Sequence, residues 1–229
     1  MIILSLIFGV LVGNYSTTLL FRIPRGIEIC GINKRVNTPP YCSECRHPLQ
    51  YYEYLPVLSW IFVRFRCNYC SVRINPQYFF LESSTAIVSL ILFLLFGFSE
   101  IYLLFITLWI AIILAGLIEL NSGRIYRELT FIVMTIGMIY RTLLDGSILF
   151  YITDIAIASI FLSLIMKTSK FQVRDVMHLI LQSSVFGLET VFAVLFNYIL
   201  TKKIFARGSY LYSLILLFSV IILRKIIDI

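Results

Sequence analysis

Residues 101–119 read IYLLFITLWIAIILAGLIE, an apolar run with no charged side chain before its last residue, Glu119. About 20 such residues cross the roughly 30 Å hydrocarbon core of a bilayer as one helix. The whole chain has this character, since 60% of its 229 residues are hydrophobic and only 14% are charged. Soluble domains have about 45–50% and about 25%. The sequence therefore predicts an all-α integral membrane protein and argues against a water-soluble enzyme.

Further apolar runs predict about eight transmembrane helices in total. The first run lacks a basic segment and a small-residue cleavage site, so we expect an anchor rather than a removed signal. The domains predicted are a first span (1–20), a polar loop (21–78) and a helical membrane domain (79–229). The predicted spans are 3–20, 79–98, 101–119, 129–144, 147–166, 176–187, 188–200 and 209–223.

The basic residues predict how the chain is oriented in the membrane. If the loop 21–78 is cytosolic, the alternation of spans also puts 120–128, 167–174 and 201–208 in the cytosol. Of the 19 Lys and Arg residues, only Arg141, Arg224 and Lys225 then lie on the other side. This asymmetry is the positive-inside pattern of a multi-pass protein. It predicts two outward termini, and it explains the net charge of +7 without a nucleic-acid partner.

Two C-x-x-C pairs in the polar loop predict a metal site. Cys42 and Cys45 form the first pair, and Cys67 and Cys70 form the second. Four thiolates in two such turns can close a tetrahedral structural zinc site. The cytosol is a reducing compartment, so a cytosolic location of the loop favours a zinc site over disulfide bonds. The alternative is four unligated thiols, and Cys30 is left over as a buried free thiol.

Five acidic residues lie in or at the end of the predicted spans. An ionisable side chain there costs at least about 2.5 kcal/mol and is a functional candidate. The predicted topology places three of them toward the cytosol and two toward the outside. The cytosolic group is Glu82, Glu119 and Asp175, and the outer group is Asp154 and Glu189.

Glu119 ends the third predicted span and Asp175 precedes the sixth, so both are expected at the cytosolic boundary. Two carboxylates held close in a partly dry site share a proton, one acting as a base on water and the other as an acid toward a carbonyl. This chemistry is aspartyl proteolysis of a peptide bond near the membrane surface. The alternative is that both acids are interfacial charges paired with Arg124 and Arg174.

The loop resembles one protein family. The stretch 35–82, RVNTPPYCSECRHPLQYYEYLPVLSWIFVRFRCNYCSVRINPQYFFLE, is similar to the cytosolic loop of the type IV prepilin peptidases, the leader peptidase/N-methyltransferases of bacterial inner membranes. The resemblance includes both cysteine pairs, the segment LPVLSW and a closing glutamate. That glutamate is Glu82, for which the resemblance implies packing or orienting the site.

The resemblance also assigns catalytic positions. Glu119, in LIELNSGRIYRELT (117–130), falls on the family's first catalytic aspartate, and Asp175, in FQVRDVMHL (171–179), falls on the second. The chain departs from the family pattern by having Glu for Asp at 119, by lacking the glycines around Asp175 and by having Met177 in place of a lysine.

The resemblance implies cleavage of prepilin-like or pseudopilin precursors at the cytosolic membrane face. It further implies methylation of the new N-terminus from S-adenosylmethionine, for which the sequence has no glycine-rich dinucleotide-type motif. Two other functions remain open. One is an inactive family member that binds pseudopilins as a scaffold; the other is a small ion-coupled carrier that uses Asp154 and Glu189.

Overall fold

The computed structural model describes most of the N-terminal half of the chain and its last helix. Over these residues the secondary structure is helical, with two isolated β-bridges and no strand. Two compact units, Met1–Tyr102 and Leu103–Ile229, are described separately. The described residues are 1–27, 41–42, 44–53, 55–123, 126–145 and 209–227, with the single residues 153, 156, 157, 191 and 197.

The first unit consists of two long helices and the polar loop between them. Helix α1 comprises Ile2–Arg22, and helix α3 comprises Gln77–Phe96. The loop contains a short helix α2, Leu58–Val63, and 3-10 turns at Ile23–Arg25 and Tyr51–Glu53. Apolar side chains such as Ile3, Ile7 and Leu11 are exposed on α1, as expected for a surface that meets lipid.

Helices α1 and α3 pack closely through small residues. A Cβ atom added at Gly9 would lie 2.5 Å from the Cβ of Ser89, and one at Gly13 would lie 2.9 Å from the Cα of Glu82. The Ser89 hydroxyl donates to the backbone carbonyl of Ser5 at 2.7 Å. Small residues four apart allow two membrane helices to approach closely, and an interhelical hydrogen bond adds to their association. This contact positions the two ends of the polar loop.

The second unit has an aromatic and aliphatic core. Helix α4, Glu100–Ser122, begins in the first unit and continues into the second, which also contains α5, Arg127–Asp145, and α6, Ser209–Ile227. The ring of Phe105 on α4 lies 5.5 Å from that of Tyr140 on α5 and 6.3 Å from that of Phe218 on α6. Both Phe105 and Phe218 are buried.

The predicted spans are confirmed in part. Three helices are long and apolar enough to cross a membrane, namely Ile2–Arg25, Gln77–Phe96 and Glu100–Ser122. Helices α5 and α6 occur where the runs 129–144 and 209–223 predicted helices, but they do not meet that criterion, and in α6 the apolar part is Ser213–Leu223. Apart from the single residues 153, 156, 157, 191 and 197, the predicted spans over 147–200 lie outside the described residues, so the count of eight stays a prediction.

Candidate functional site

The first cysteine pair lies in a tight turn. The backbone N–H of Cys42 donates to the carbonyl of His47 at 3.0 Å, and the N–H of Arg46 donates to the carbonyl of Cys42 at 3.0 Å. Arg46 adopts a left-handed conformation with φ 58°. This turn folds the chain back just after Cys45, so both thiols of the pair face the same side.

The second pair repeats the same turn. The N–H of Cys67 donates to the carbonyl of Val72 at 3.0 Å, and the N–H of Ser71 donates to the carbonyl of Cys67 at 2.9 Å. Ser71 has φ 59°, the counterpart of Arg46 in the first turn. Each turn is closed by an isolated antiparallel bridge, Tyr41 with Pro48 in the first and Arg66 with Arg73 in the second.

The two turns bring four sulfur atoms together. The ligand atoms of Cys42, Cys45, Cys67 and Cys70 all lie within 4.8 Å of one another. The Sγ atoms of Cys42 and Cys70 are 3.8 Å apart, and those of Cys45 and Cys67 are 4.0 Å apart. A tetrahedral ion with Zn–S bonds of about 2.3 Å requires sulfur separations of roughly 3.8 Å, whereas a disulfide requires about 2.05 Å. The cluster therefore fits a four-sulfur metal centre.

Two thiols in the cluster, those of Cys67 and Cys45, have strongly shifted pKa values. Burial raises the pKa of Cys67, but the backbone N–H groups of Cys70 and Tyr69 outweigh it and lower this pKa to about 7. At Cys45 the N–H of His47 lowers the pKa, while desolvation and the three neighbouring thiols raise it to about 12. The Cys67 thiol can therefore ionise near neutral pH, whereas a metal ion bound at the cluster would have to displace the proton of Cys45.

Two contacts hold the cysteine turns against each other. The His47 ring of the first turn stacks on the Tyr69 ring of the second at 3.4 Å between centroids. Glu53, which is 7% exposed, accepts a hydrogen bond from the Asn68 amide at 2.7 Å and another from the backbone N–H of Gln50 at 2.8 Å. Glu53 carries no distinctive signal in the sequence, because an acidic residue in a polar loop has no characteristic spacing.

Glu82 connects the loop to helix α3. This side chain is 4% exposed, and its Oε2 atom accepts hydrogen bonds from the backbone N–H of Val57 at 2.8 Å and from the indole N–H of Trp60 at 3.0 Å. The Trp60 ring also packs on Phe65, with 5.2 Å between centroids, and on Phe79 at 6.0 Å. These contacts show that Glu82 packs against the loop segment 57–60, while the role in packing or orienting the site, which the resemblance implied, stays a prediction.

The structure describes Glu119, whereas its predicted partner, Asp175, lies outside the described residues. Glu119 lies in the last turn of α4, where its side chain is half-buried and its Oε2 atom is fully buried. Asp175, Cys30 and Glu189 lie outside the described residues. The pairing of Glu119 with Asp175 therefore stays a prediction.

Comparisons with known proteins address the family of the chain. Residues 7–96 match the model of the bacterial peptidase A24 N-terminal domain. A prepilin leader peptidase/N-methyltransferase of Aeromonas hydrophila is 25% identical over 160 residues, which cover 61% of this chain and 54% of the relative. One from Pseudomonas putida is 27% identical over 134 residues, covering 52% of this chain and 46% of the relative.

A third relative of the same name, from Myxococcus xanthus, is 32% identical over 82 residues, covering 36% of this chain and 23% of the relative. The chain thus spans about half the length, or less, of these curated relatives. No solved structure matches it significantly. The family resemblance predicted from the sequence is confirmed, and the matched residues 7–96 include the four clustered cysteines.

Proposed function

We propose that this chain is a member of the prepilin leader peptidase/N-methyltransferase family, to which it is similar, and that it is a membrane-embedded aspartic-type endopeptidase. In this proposal it cleaves the leader of type IV prepilin-like or pseudopilin precursors at the cytosolic face of the bacterial inner membrane. The observation that carries the proposal is the match of residues 7–96 to the family domain. The relatives' printed names supply the reaction.

The position of Glu119 supports the aspartic-type mechanism. It ends an apolar helix long enough to cross a membrane, and one of its carboxylate oxygens is removed from solvent. A carboxylate in such a place is costly and is a candidate for proton transfer. We assign Asp175, on the family's second catalytic position, as its partner.

The proposed mechanism needs one proton on the pair of acids. The ionised carboxylate removes a proton from water, and the resulting hydroxide attacks the scissile carbonyl carbon, while the protonated acid donates to the carbonyl oxygen. Breakdown of the tetrahedral intermediate returns a proton to the leaving amine. Which acid acts as the base is not assigned, because the pair titrates together.

The expected position of Glu119 and Asp175 at the cytosolic boundary determines how the precursor would bind. An apolar helix of the precursor lies beside α4 and the predicted span 176–187, and its basic leader remains at the cytosolic surface. Membrane lipid surrounds the complex, and no nucleic acid takes part. Both termini of the chain face outward in this topology, as the positive-inside pattern requires.

The four-cysteine cluster is proposed to hold a structural zinc ion. Its donor atoms and their separations fit tetrahedral coordination. When bound, the ion would crosslink the two turns of a loop that is too small to bury a core of its own. N-methylation from S-adenosylmethionine is proposed from the names of the relatives.

The test is cleavage of a prepilin by the purified full-length chain reconstituted in lipid vesicles, with the new N-terminus identified by mass spectrometry. We expect the native chain to cut. Glu119→Gln and Asp175→Asn should each abolish cutting, while the matched variants Asp154→Asn and Glu189→Gln should retain it. Full activity in Asp175→Asn would contradict the mechanism.

Two further outcomes distinguish the alternatives. If only Glu119→Asp cuts, the native chain is a decayed enzyme, since a misplacement of about 1 Å can cost about 10²-fold in rate. A native chain that binds the precursor without cutting it would be a scaffold. Proton-coupled uptake that is abolished by Asp154→Asn would indicate a carrier.

A further inference from the structure

A cleft lined by arginines lies beside the second cysteine turn. It has a volume of about 350 Å³ and is lined by Arg64, Phe65, Arg66 and Arg73, so its described lining contains no acidic side chain. All three arginines are exposed. Three guanidinium groups around an open cleft are suited to an anionic group with several acceptor oxygens, such as a phosphate.

The backbone holds these arginines close together. Arg66 and Arg73 face each other across the isolated antiparallel bridge, where side chains of like charge repel. Arg64 and Phe65 adopt consecutive left-handed conformations, with φ 48° and φ 58°. Non-glycine residues in this region carry strain that the surrounding structure must hold. An anion bound between the guanidinium groups would relieve the repulsion.

The cleft lies at the level where α3 begins. The ring of Phe65, which lines the cleft, packs on Phe79 in the first turn of α3 with 5.7 Å between centroids. The next residue of α3, Phe80, is 65% exposed. Because α3 is long and apolar enough to span a membrane, its first turn marks the level of the lipid headgroups.

We infer that the cleft between Arg64, Arg66 and Arg73 binds the phosphate group of an acidic phospholipid. Arginine forms bidentate hydrogen bonds with phosphate oxygens, and basic pockets beside membrane helices bind acidic headgroups. Phe80, which follows Phe79 in α3, offers an exposed apolar ring that an acyl chain of the same lipid could contact. S-adenosylmethionine does not suit this cleft, because its sulfonium and ammonium groups would meet three guanidinium groups.

The experiment is native mass spectrometry of the full-length chain, delipidated in a neutral detergent. The probes are phosphatidylglycerol, phosphatidylcholine and inorganic phosphate. We expect the native chain to retain one phosphatidylglycerol in preference to phosphatidylcholine. In Arg64→Gln/Arg73→Gln this binding should be on the order of 30-fold weaker, because two charges near an acidic headgroup are lost.

A matched variant separates a site from general charge. Lys202→Gln/Lys203→Gln removes the same charge elsewhere in the sequence and should leave the binding within about twofold. The variant Arg64→Lys/Arg73→Lys keeps the charge but loses the bidentate geometry, so it should bind phosphatidylglycerol at an intermediate level. Intermediate binding would also show that the weaker binding of the glutamine variant is not due to misfolding.

Three outcomes would overturn the inference. One is equal retention of the two lipids by the native chain, and another is an equal loss of binding in Lys202→Gln/Lys203→Gln. The third is displacement of the lipid by millimolar inorganic phosphate, which would make the cleft a site for free phosphate. None of these readouts depends on peptidase activity.

Discussion

The carboxylate of Glu82 on helix α3 accepts a hydrogen bond from the indole N–H of Trp60 at 3.0 Å, and both side chains are buried. The same oxygen accepts the backbone N–H of Val57, a β-branched residue with φ 60°. One membrane-helix carboxylate therefore fixes the segment LPVLSW and holds a strained backbone in place. The polar loop is thus attached to α3 by hydrogen bonds as well as by its chain ends.

We predict that Glu82→Leu destabilises this attachment by about 2–4 kcal/mol, because two N–H groups lose their acceptor. Glu82→Gln keeps one acceptor oxygen and loses only the charge, so the cost should be roughly 1 kcal/mol. Hydrogen exchange of residues 55–66, followed by mass spectrometry, measures the free energy of local opening. Glu100→Leu is the matched control, since Glu100 is exposed at the start of α4; equal effects of the two leucine variants would contradict this role.

The proposed zinc site predicts a stoichiometry of about one zinc ion per chain. Cys45→Ser should lose the ion, whereas Cys30→Ser should keep it, because Cys30 belongs to neither C-x-x-C pair of the sequence. Cobalt replacement should give the absorption of a tetrahedral thiolate site. Metal affinity should fall as the pH falls, since bound cysteines must be deprotonated. Full metal content in Cys45→Ser would exclude the four-sulfur site.

The α1–α3 contact predicts that Gly9→Leu destabilises the first unit by about 1–3 kcal/mol, since the new side chain would overlap Ser89 and the backbone of Ala86. Thermal unfolding in detergent measures the effect. The control is Leu11→Phe, which adds bulk to a side chain that is 57% exposed on the same helix. A similar loss of stability in both variants would mean that the contact is not specific.

The proposed pair of acids predicts a bell-shaped dependence of the cleavage rate on pH. At low pH both carboxyl groups are protonated and no base remains, while at high pH both are ionised and no acid remains. The measurement is the initial cleavage rate in vesicles across the pH range. A rate that only rises with pH would show that no protonated carboxyl group is needed.

The sequence predicted the features that depend on spacing or on long apolar runs. The cysteine pairs at 42, 45, 67 and 70 indicated a cluster, because two C-x-x-C pairs in a loop expected to be cytosolic favour a shared metal over disulfides. The apolar runs located α1, α3 and α4 to within a few residues. The cysteine spacing and the apolar runs could be read from the sequence because the first is a local pattern and the second extends over many residues.

Other features could not be predicted, because they depend on contacts between distant parts of the chain. Glu53 reaches Asn68 and Glu82 reaches Trp60 only after the loop has folded. Val57 and Arg64 have positive φ angles, which could not be predicted because neither residue is a glycine. The arginine cleft likewise arises from a bridge that pairs Arg66 with Arg73.

The most direct test of the account is the distance between positions 119 and 175. Glu119→Cys/Asp175→Cys, made with Cys30→Ser in the metal-loaded full-length chain, can be treated in membranes with a short bifunctional methanethiosulfonate reagent. The account predicts an intramolecular crosslink between 119 and 175, detected by mass spectrometry, and none in the control Glu119→Cys/Asp154→Cys. A crosslink to 154 without one to 175 would contradict the proposed catalytic pair.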